Sequence, residues 1–156
     1  MSDAALEELS SPGEVRLHHF GFVLSSIQDS AESFARCLGA TWDGNIVFDP
    51  IQKVRVAFLE GAHAHDSLIE LVEPASPDSP VNRFLNGGRG LHHLCYEVAD
   101  MERHLAFCRS VRTVIIRKPV PAVAFGGRRI AWALTKQKLL VEFLERERAG
   151  EDDSTG

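Results

Sequence analysis

The hydrophobic and polar positions of this chain predict the same order of elements twice. Alternating or continuous apolar residues predict strands, and apolar residues three or four positions apart predict helices. In the first half these patterns predict a strand, a helix and three further strands: 15–24, 30–38, 41–48, 53–60 and 67–72. In the second half they predict the same order again: 90–98, 101–109, 113–118, 128–134 and 139–144. Each half is therefore predicted to be a βαβββ module.

A sequence repeat accompanies the repeated elements. The stretch LHHFGFV at residues 17–23 returns as LHHLCYE at residues 91–97, 74 positions later. The stretch LIELVE at residues 68–73 returns as LVEFLE at residues 140–145. A small sheet does not bury its own face, so two such modules are expected to pair. The predicted fold class is α+β, with two four-stranded sheets side by side in a curved, partly open eight-stranded barrel.

Composition and turn signals predict one domain between two flexible ends. The segments are a flexible start, a single domain and a disordered tail: 1–14, 15–146 and 147–156. The domain divides into module one, a short connector with a helical turn, and module two: 15–76, 77–88 and 89–146. Asp29 or Ser30 is expected to cap the first helix, and Asp100 is expected to cap the second one.

Two histidines and two glutamates occupy equivalent positions of the two modules. Each module carries a histidine near its start and a glutamate in its last strand: His19 and Glu70, then His93 and Glu142. The neighbours of each glutamate along the strand are apolar, and a carboxylate buried there is unfavourable unless it is paired or binds a metal. Imidazole and carboxylate groups are common ligands of divalent cations. We therefore predict that these four side chains converge on one cation.

Strand alternation also gives expectations for the neighbouring polar residues. His18 and His92 are predicted to point away from the ligand face, and Cys95 is expected to be a small packed side chain beside it. We expect exposure for four further residues, because they lie in a turn, on a helix surface or near a strand end: His63, His65, His104 and Glu97.

Composition excludes several classes of protein. Apolar residues make up 44% of the chain and charged residues 25%, which is typical of a globular domain. The net charge of −5 argues against nucleic-acid binding, and no apolar run reaches the roughly 20 residues that a membrane span needs. The three cysteines form no closely spaced pair, and residues 1–14 lack the order of a signal peptide. These features predict a reduced, cytoplasmic protein.

The repeated stretches resemble the vicinal-oxygen-chelate superfamily, also called glyoxalase-like, and within it the methylmalonyl-CoA epimerases. The likeness covers about residues 15–146 and is carried by five stretches: 19–23 (HFGFV), 54–59 (VRVAFL), 69–74 (IELVEP), 90–98 (GLHHLCYEV) and 141–144 (VEFL). It implies one divalent metal ion (cobalt, zinc, nickel, manganese or iron), held by His19, Glu70, His93 and Glu142. It also implies a small carbonyl substrate, with an acyl-CoA as one candidate, and a homodimer.

One position departs from the epimerase pattern. The epimerases carry a loop glutamate, in a Pro-Glu-Gln-Gly stretch, as one of two acid/base groups. The matching stretch here is residues 49–53 (DPIQK), which places Ile51 where that glutamate would be. Ile51 carries no titratable proton, and the sequence leaves open whether Asp49 replaces the missing group.

Three functions are compatible with these residues. The first is a metal-dependent epimerase or isomerase that moves a proton α to a carbonyl, with Glu142 as the first candidate for the base and Glu70, opposite it, as the second. The second is a lyase similar to glyoxalase I, which the chain resembles in having two histidines and two glutamates without a further base. The third is a non-catalytic small-molecule-binding protein of the same fold.

The apolar segment 119–127 is expected either to cover the cleft or to be a packed surface loop. If it covers the cleft, Phe125, Gly126, Gly127 and Arg128 are candidate substrate-binding residues, because the Gly-Gly pair allows a sharp bend. The cations around this segment are a candidate site for a phosphate or carboxylate, with a solvated surface as the alternative: Arg117, Lys118, Arg128 and Arg129.

Overall fold

The computed structural model describes residues 12–88 and 90–148. Most of the predicted flexible start and of the predicted tail lies outside these ranges, so neither prediction is tested. Glu14, at the end of the predicted start, is held by the domain: its backbone oxygen accepts a hydrogen bond from the Ala99 amide at 3.2 Å, and its carboxylate pairs with Arg146. Within the described ranges, no helix is long and apolar enough to cross a membrane.

Nine strands and three short α-helices form the described part of the chain. The strands are β1 (Val15–Val23), β2 (Thr41–Trp42), β3 (Val47–Asp49), β4 (Val54–Glu60), β5 (Leu68–Pro74), β6 (Gly90–Val98), β7 (Val114–Pro121), β8 (Arg129–Leu134) and β9 (Leu140–Glu145). The helices are α1 (Ile27–Cys37), α2 (Asn82–Gly87) and α3 (Met101–Ser110), and a 3-10 turn covers Val123–Phe125.

These strands belong to one mixed sheet, in which the two modules have equivalent strand orders on either side of the centre. The order is β2-β4-β5-β1-β6-β9-β8-β7, and β3 pairs with β4. Strands β1 and β6 run antiparallel at the centre and join the two modules. Each lies parallel to the last strand of its own module, as β1 with β5 and β6 with β9. The predicted fold class is confirmed, except that the sheet is continuous and open and has nine strands instead of eight.

A short turn divides the predicted strand 41–48 into β2 and β3. The Asp43 carboxylate accepts hydrogen bonds from the backbone and side-chain amides of Asn45, at 2.8 and 2.9 Å. Such local bonds compete with strand pairing, so the chain leaves the sheet for a few residues. This turn accounts for the ninth strand.

Helix α1 begins three residues before its predicted start. Its cap is Ser26, rather than Asp29 or Ser30, because the Ser26 Oγ accepts a hydrogen bond from the Asp29 amide at 3.2 Å. The Glu73 carboxylate accepts a second bond from the Ile27 amide at 2.8 Å. Both contacts satisfy N–H groups that the first turn leaves free, and the second fastens α1 to β5.

The two longer helices cover one face of the sheet and leave the other face to the candidate site. Helix α1 packs on Leu71, and α3, which Asp100 caps as predicted, packs on Phe143. Because side chains alternate along a strand, Glu70 and Glu142 point to the opposite face.

His104, predicted to lie on a helix surface, is buried. Its ring packs edge-on against Phe143, with ring centroids 4.2 Å apart, and its Nδ1 lies 3.4 Å from the backbone oxygen of Pro12. The position belongs to the packed face of α3, together with Met101 and Leu105. The prediction is wrong because a histidine with one backbone partner can lie in such a core.

Candidate metal centre

One half of the candidate site is built around Gly21 in β1. Gly21 lies opposite His93 of β6 and beside Glu70 of β5, so three adjacent strands meet at this point. A Cβ atom on Gly21 would fall 1.9 Å from Cε1 of His93. The space left by the missing side chain is therefore filled by the His93 imidazole.

The other half repeats this arrangement with Cys95 in place of Gly21. His19 of β1 lies opposite Cys95 of β6, and Cys95 lies beside Glu142 of β9. Burial and the charge of the Glu142 carboxylate raise the pKa of Cys95 well above its ordinary value. A thiol that keeps its proton is a weak nucleophile, which agrees with the predicted role of a small packed side chain.

The four predicted ligands converge and are buried: His19, Glu70, His93 and Glu142. The Nε2 atoms of His19 and His93 lie 3.3 Å apart. The Glu70 Oε2 atom lies 3.1 Å from the first of these nitrogens and 3.2 Å from the second. The Glu142 Oε1 atom lies 3.4 Å from Nε2 of His19. One donor atom from each residue lies within 4.8 Å of the other three.

This spacing fits a divalent transition-metal ion. Nitrogen and oxygen ligands about 2.0–2.2 Å from one ion, at tetrahedral or octahedral angles, lie about 2.8–3.6 Å from one another. The Oε1 atom of Glu142 is buried without a hydrogen-bond partner, so it has an unmet interaction in the direction of the other donors. Two carboxylates also match the charge of a divalent cation. The donor set fits the predicted cofactor, and metal binding itself stays a prediction.

The charges of these four groups influence one another. Burial opposes ionisation of Glu70, but the adjacent His19 and His93 lower its pKa below the ordinary value. Burial, and then the negative charge of Glu70, raise the pKa of Glu142. Burial opposes a charge on His19 as well, but the Glu70 and Glu142 carboxylates outweigh this effect and raise its pKa. Of the two carboxylates, Glu142 more readily takes up a proton.

Two β-bulges bring His18 and His92 to the candidate site, although alternation predicts that they point away. The register of β1 against β6 shifts at each of these residues, and a bulge re-aims the side chain that it carries. Nδ1 of His18 lies 2.8 Å from Nδ1 of His19, and Nδ1 of His92 lies 2.9 Å from Nδ1 of His93. Burial and the adjacent imidazole lower the pKa of His18 and of His92 to about 4. The predicted orientation of both residues is wrong.

A cavity of about 320 Å³ opens beside the four converging side chains. Most of its wall is apolar, and Trp132 in this wall packs edge-on to His93 with ring centroids 4.7 Å apart. The polar residues of the wall include three of the predicted ligands, Glu70, His93 and Glu142, and a second pair, Gln52 and Arg117. Such a cavity suits a small ligand with an apolar body and a few oxygen atoms.

Segment 119–127 lies over the site, which was one of the two alternatives. Phe125 stacks on His19, with ring centroids 5.7 Å apart and an angle of 18° between the planes, and it lines the cavity. Gly126 and Gly127 adopt φ values of +63° and +87°, a region that favours glycine. Phe125 shields the site and the two glycines shape the turn, whereas contact of these residues with a substrate stays a prediction.

Arg128, the fourth predicted substrate-binding residue, is held by protein groups. Its Nη1 atom lies 3.1 Å from the Glu97 carboxylate, and its guanidinium carbon lies 5.8 Å from the centre of the Phe125 ring. Glu97 was predicted to be exposed, but its side chain is 18% exposed because it also contacts Arg146. A substrate anion at Arg128 would have to compete with Glu97.

The predicted anion site is not a free cluster of cations. Arg129 forms ion pairs with Glu102 and Glu145, and Arg117 donates a hydrogen bond to the Gln52 side-chain oxygen at 2.8 Å. The two carboxylates reduce the positive charge of Arg129 that is available to a phosphate or carboxylate, whereas the neutral Gln52 leaves the charge of Arg117 uncompensated.

Asp49 lines the cavity, but its carboxylate is occupied. Oδ1 accepts hydrogen bonds from the backbone amides of Ile51 and Gln52, at 2.9 and 3.0 Å, and Oδ2 accepts one from the Val123 amide at 3.1 Å. Asp49 thereby fastens the 3-10 turn to the loop after β3. Ile51 is 45% exposed. Ile51 therefore offers no acid/base group in this loop, and the Asp49 carboxylate is held by three backbone amides.

Sequence reasoning missed two features of the site. The duplicated His-His pair is a usable signal for the contacts of His18 and His92, since a ligand histidine does not need a second histidine before it in both modules. The Asp-Pro pair at residues 49–50 does predict a turn, and what was missed is that the Asp49 side chain holds it, although an Asp side chain commonly accepts hydrogen bonds from the next amides along the chain. No local pattern indicates its third partner, Val123, which lies 74 residues away.

A known family matches most of the chain. Residues 18–132 match the family described as the Glyoxalase/Bleomycin resistance protein/Dioxygenase superfamily. The chain therefore belongs to this superfamily, which confirms the resemblance found in the sequence.

Three individual proteins are similar to this chain over most of its length. The uncharacterized protein YqjC of Bacillus subtilis is 30% identical over 133 residues, which are 83% of this chain and 91% of that protein. The mitochondrial methylmalonyl-CoA epimerase of Dictyostelium discoideum is 26% identical over 136 residues, which are 84% of this chain and 78% of that protein. The crystal structure of hypothetical protein BH1468 from Bacillus halodurans has a TM-score of 0.76 at 29% identity, with coverage of 89% of this chain and 99% of that chain. The relatives thus include an epimerase and proteins without an assigned activity.

Proposed function

We propose that this protein is a metal-dependent epimerase or isomerase that transfers a proton α to a carbonyl, with methylmalonyl-CoA as the first acyl-CoA to test. The observation that carries the proposal is the convergence of His19, Glu70, His93 and Glu142 beside an apolar cavity, whose wall includes the last three of them. The epimerase relative supports the reaction class. We also propose that the protein is a cytoplasmic homodimer, on the basis of the family likeness and the cysteine pattern. Size-exclusion chromatography with light scattering tests the oligomeric state.

The proposed mechanism separates charge stabilisation from proton transfer. His19, Glu70, His93 and Glu142 would hold a divalent cation, which would supply Lewis-acid chemistry to polarise a carbonyl and stabilise the enolate of the substrate. A carboxylate removes the α-proton: the C–H bond breaks, its electron pair moves into the enolate and the proton goes to a carboxylate oxygen. Return of a proton to the opposite face gives the other epimer. A positioned base contributes about 10²–10⁴-fold to such a rate.

The chain offers two carboxylates for this transfer. Glu142 is the first candidate, because it lines the cavity and its Oε1 atom accepts no hydrogen bond. Glu70 lines the same cavity and is the second candidate, from the neighbouring module. Phe125 and the apolar wall keep water away from the enolate, which protects it from side reactions.

The test is exchange of the α-proton in deuterated water. In cobalt-loaded protein, Glu142→Gln should keep the fold and lower deuterium incorporation into methylmalonyl-CoA by about 10²-fold or more, as expected for loss of a general base. Glu32→Gln is the matched control, since Glu32 is exposed on α1, and it should exchange at the wild-type rate. Unchanged exchange in Glu142→Gln would remove Glu142 from this role.

A lyase similar to glyoxalase I is the second candidate, and one observation favours it. Ile51 is at the surface and Asp49 is engaged by three amides, so the loop glutamate of the epimerase pattern has no replacement there. The hemithioacetal of methylglyoxal and glutathione therefore belongs in the same assay. Turnover of this substrate without exchange into acyl-CoAs would favour the lyase, and metal-loaded protein that binds ligands without any turnover would favour a binding protein.

A further inference from the structure

The two His-His pairs form matching contacts on both sides of the candidate metal centre. In each pair the second histidine is a proposed ligand and the first lies in a β-bulge beside it. The Nδ1 atoms are 2.8 Å apart in the pair His18 and His19, and 2.9 Å apart in the pair His92 and His93. Because the internal repeat duplicates both the bulge and the contact, a chance approach of two rings is a poor explanation.

The direction of each hydrogen bond follows from the position of the other ring nitrogen. Nε2 of His19 and Nε2 of His93 face each other and the Glu70 carboxylate, so Nε2 is the atom available to a cation. A neutral imidazole that offers its Nε2 lone pair carries its hydrogen on Nδ1. That N–H then donates to the Nδ1 atom of the preceding histidine, which accepts.

Both accepting rings are themselves held in place by aromatic contacts. His18 packs edge-on to Phe125, with ring centroids 5.7 Å apart. His92 packs edge-on to Phe84 at 4.7 Å and lies 6.1 Å from Trp132. A fixed acceptor orients the ring that donates to it, and such partners of ligand histidines typically contribute about 10–100-fold to metal affinity.

We propose that His18 and His92 are positioning residues, each of which accepts the Nδ1 hydrogen of the following histidine and so directs its Nε2 atom to the cation. This inference rests on the proposed ligand set. It extends the functional part of the sequence motif from one histidine to two in each module.

The experiment compares two substitutions at each position. An Asn side chain can place a hydrogen-bond acceptor near the Nδ1 position of His, whereas Leu offers a similar volume without an acceptor. We expect His92→Leu and His18→Leu each to weaken cobalt and zinc binding by about 10–100-fold in chelator competition, and His92→Asn and His18→Asn to restore most of it. His63→Leu is the control, because His63 is exposed in a turn, and it should leave the affinity unchanged.

A second readout reports the ring nitrogens directly. Long-range proton–nitrogen NMR spectra of the zinc-loaded wild type should show His19 and His93 protonated at Nδ1. Equal affinity of the wild type and the Leu variants would overturn the proposal, and so would equal loss in the Leu and Asn variants, which would indicate packing alone. A wild type that binds metal without α-proton exchange would contradict the proposed reaction but leave this inference standing; a wild type that binds no metal would overturn both.

Discussion

At the scale of single residues, the candidate site depends on Gly21, because the His93 imidazole occupies the space that a side chain there would fill. A Cβ atom on Gly21 would lie 1.9 Å from Cε1 of His93 and 2.3 Å from both ring nitrogens. Gly21 is in the middle of a paired strand, so the clash is relieved only if the imidazole moves. We expect Gly21→Ala to weaken cobalt or zinc binding roughly tenfold or more, as measured by chelator competition.

The matched control for this substitution is Gly87→Ala in α2. A Cβ atom on Gly87 would meet no atom within 4 Å, so the variant should bind metal as the wild type does. Circular dichroism should show folded protein in both variants. Wild-type affinity in Gly21→Ala would contradict the assignment of His93 as a ligand.

At the scale of elements, one carboxylate holds two distant segments together. Asp49 joins the end of β3 to the 3-10 turn through three backbone amides, and its side chain is buried. Its removal leaves three amides without this acceptor, so Asp49→Ala should lower the free energy of unfolding by about 2–4 kcal/mol. Urea denaturation measures this loss, and hydrogen exchange at the Val123 amide should become faster.

The control at this scale is Asp43→Ala. Asp43 also accepts hydrogen bonds within a turn, from the backbone and side-chain amides of Asn45, but it is exposed. The expected loss is less than about 1 kcal/mol, as is usual for surface positions. Similar losses in the two variants would contradict the role of Asp49 in fastening the segment that covers the site.

The elements also show where local patterns succeed and where they fail. The strand periodicity places Glu70 and Glu142 on the face away from Leu71 and Phe143, as the structure has them. The same periodicity misplaces His18, because a bulge depends on the register between two strands that are distant in sequence.

At the scale of the whole molecule, the fold places two carboxylates together at some expense in stability. The pKa of Glu142 is raised in the folded protein, mainly by burial and by the charge of Glu70, so ionised Glu142 destabilises the metal-free fold at neutral pH. We expect metal-free Glu142→Gln to unfold about 2–4 °C above the metal-free wild type, the shift for about 1 kcal/mol in a chain of this size. The difference should shrink as the pH falls and Glu142 of the wild type becomes protonated.

Bound metal should make the wild type more stable than Glu142→Gln, the reverse of the order expected without metal. A cation at 100 times its dissociation constant stabilises the folded wild type by about 2.7 kcal/mol, whereas Glu142→Gln offers the cation a neutral amide oxygen in place of a carboxylate and should gain much less. Thermal unfolding with and without cobalt measures both effects, and Glu32→Gln should follow the wild type throughout. A metal-free Glu142→Gln that is less stable than the metal-free wild type would show that Glu142 is a structural partner rather than a strained ligand.

The sequence by itself determined the duplicated βαβββ order, the α+β class and the four candidate ligands. These follow from local periodicity and from a repeat that places His19 with Glu70 and His93 with Glu142 at equivalent positions. A strand pattern and a buried carboxylate are visible along the chain, because alternation and the penalty for an unpaired buried charge act on neighbouring residues.

Only the tertiary structure decided how the modules meet and what surrounds the candidate ligands. The antiparallel pairing of β1 with β6 fits His93 into the space at Gly21, sets the bulges at His18 and His92, and brings Asp49 to Val123. Each of these contacts joins residues of different strands or loops, and its geometry depends on a register that no single segment encodes. The physical reason is that close approach and hydrogen-bond direction are properties of the packed sheet, whereas residue type and period are properties of the chain.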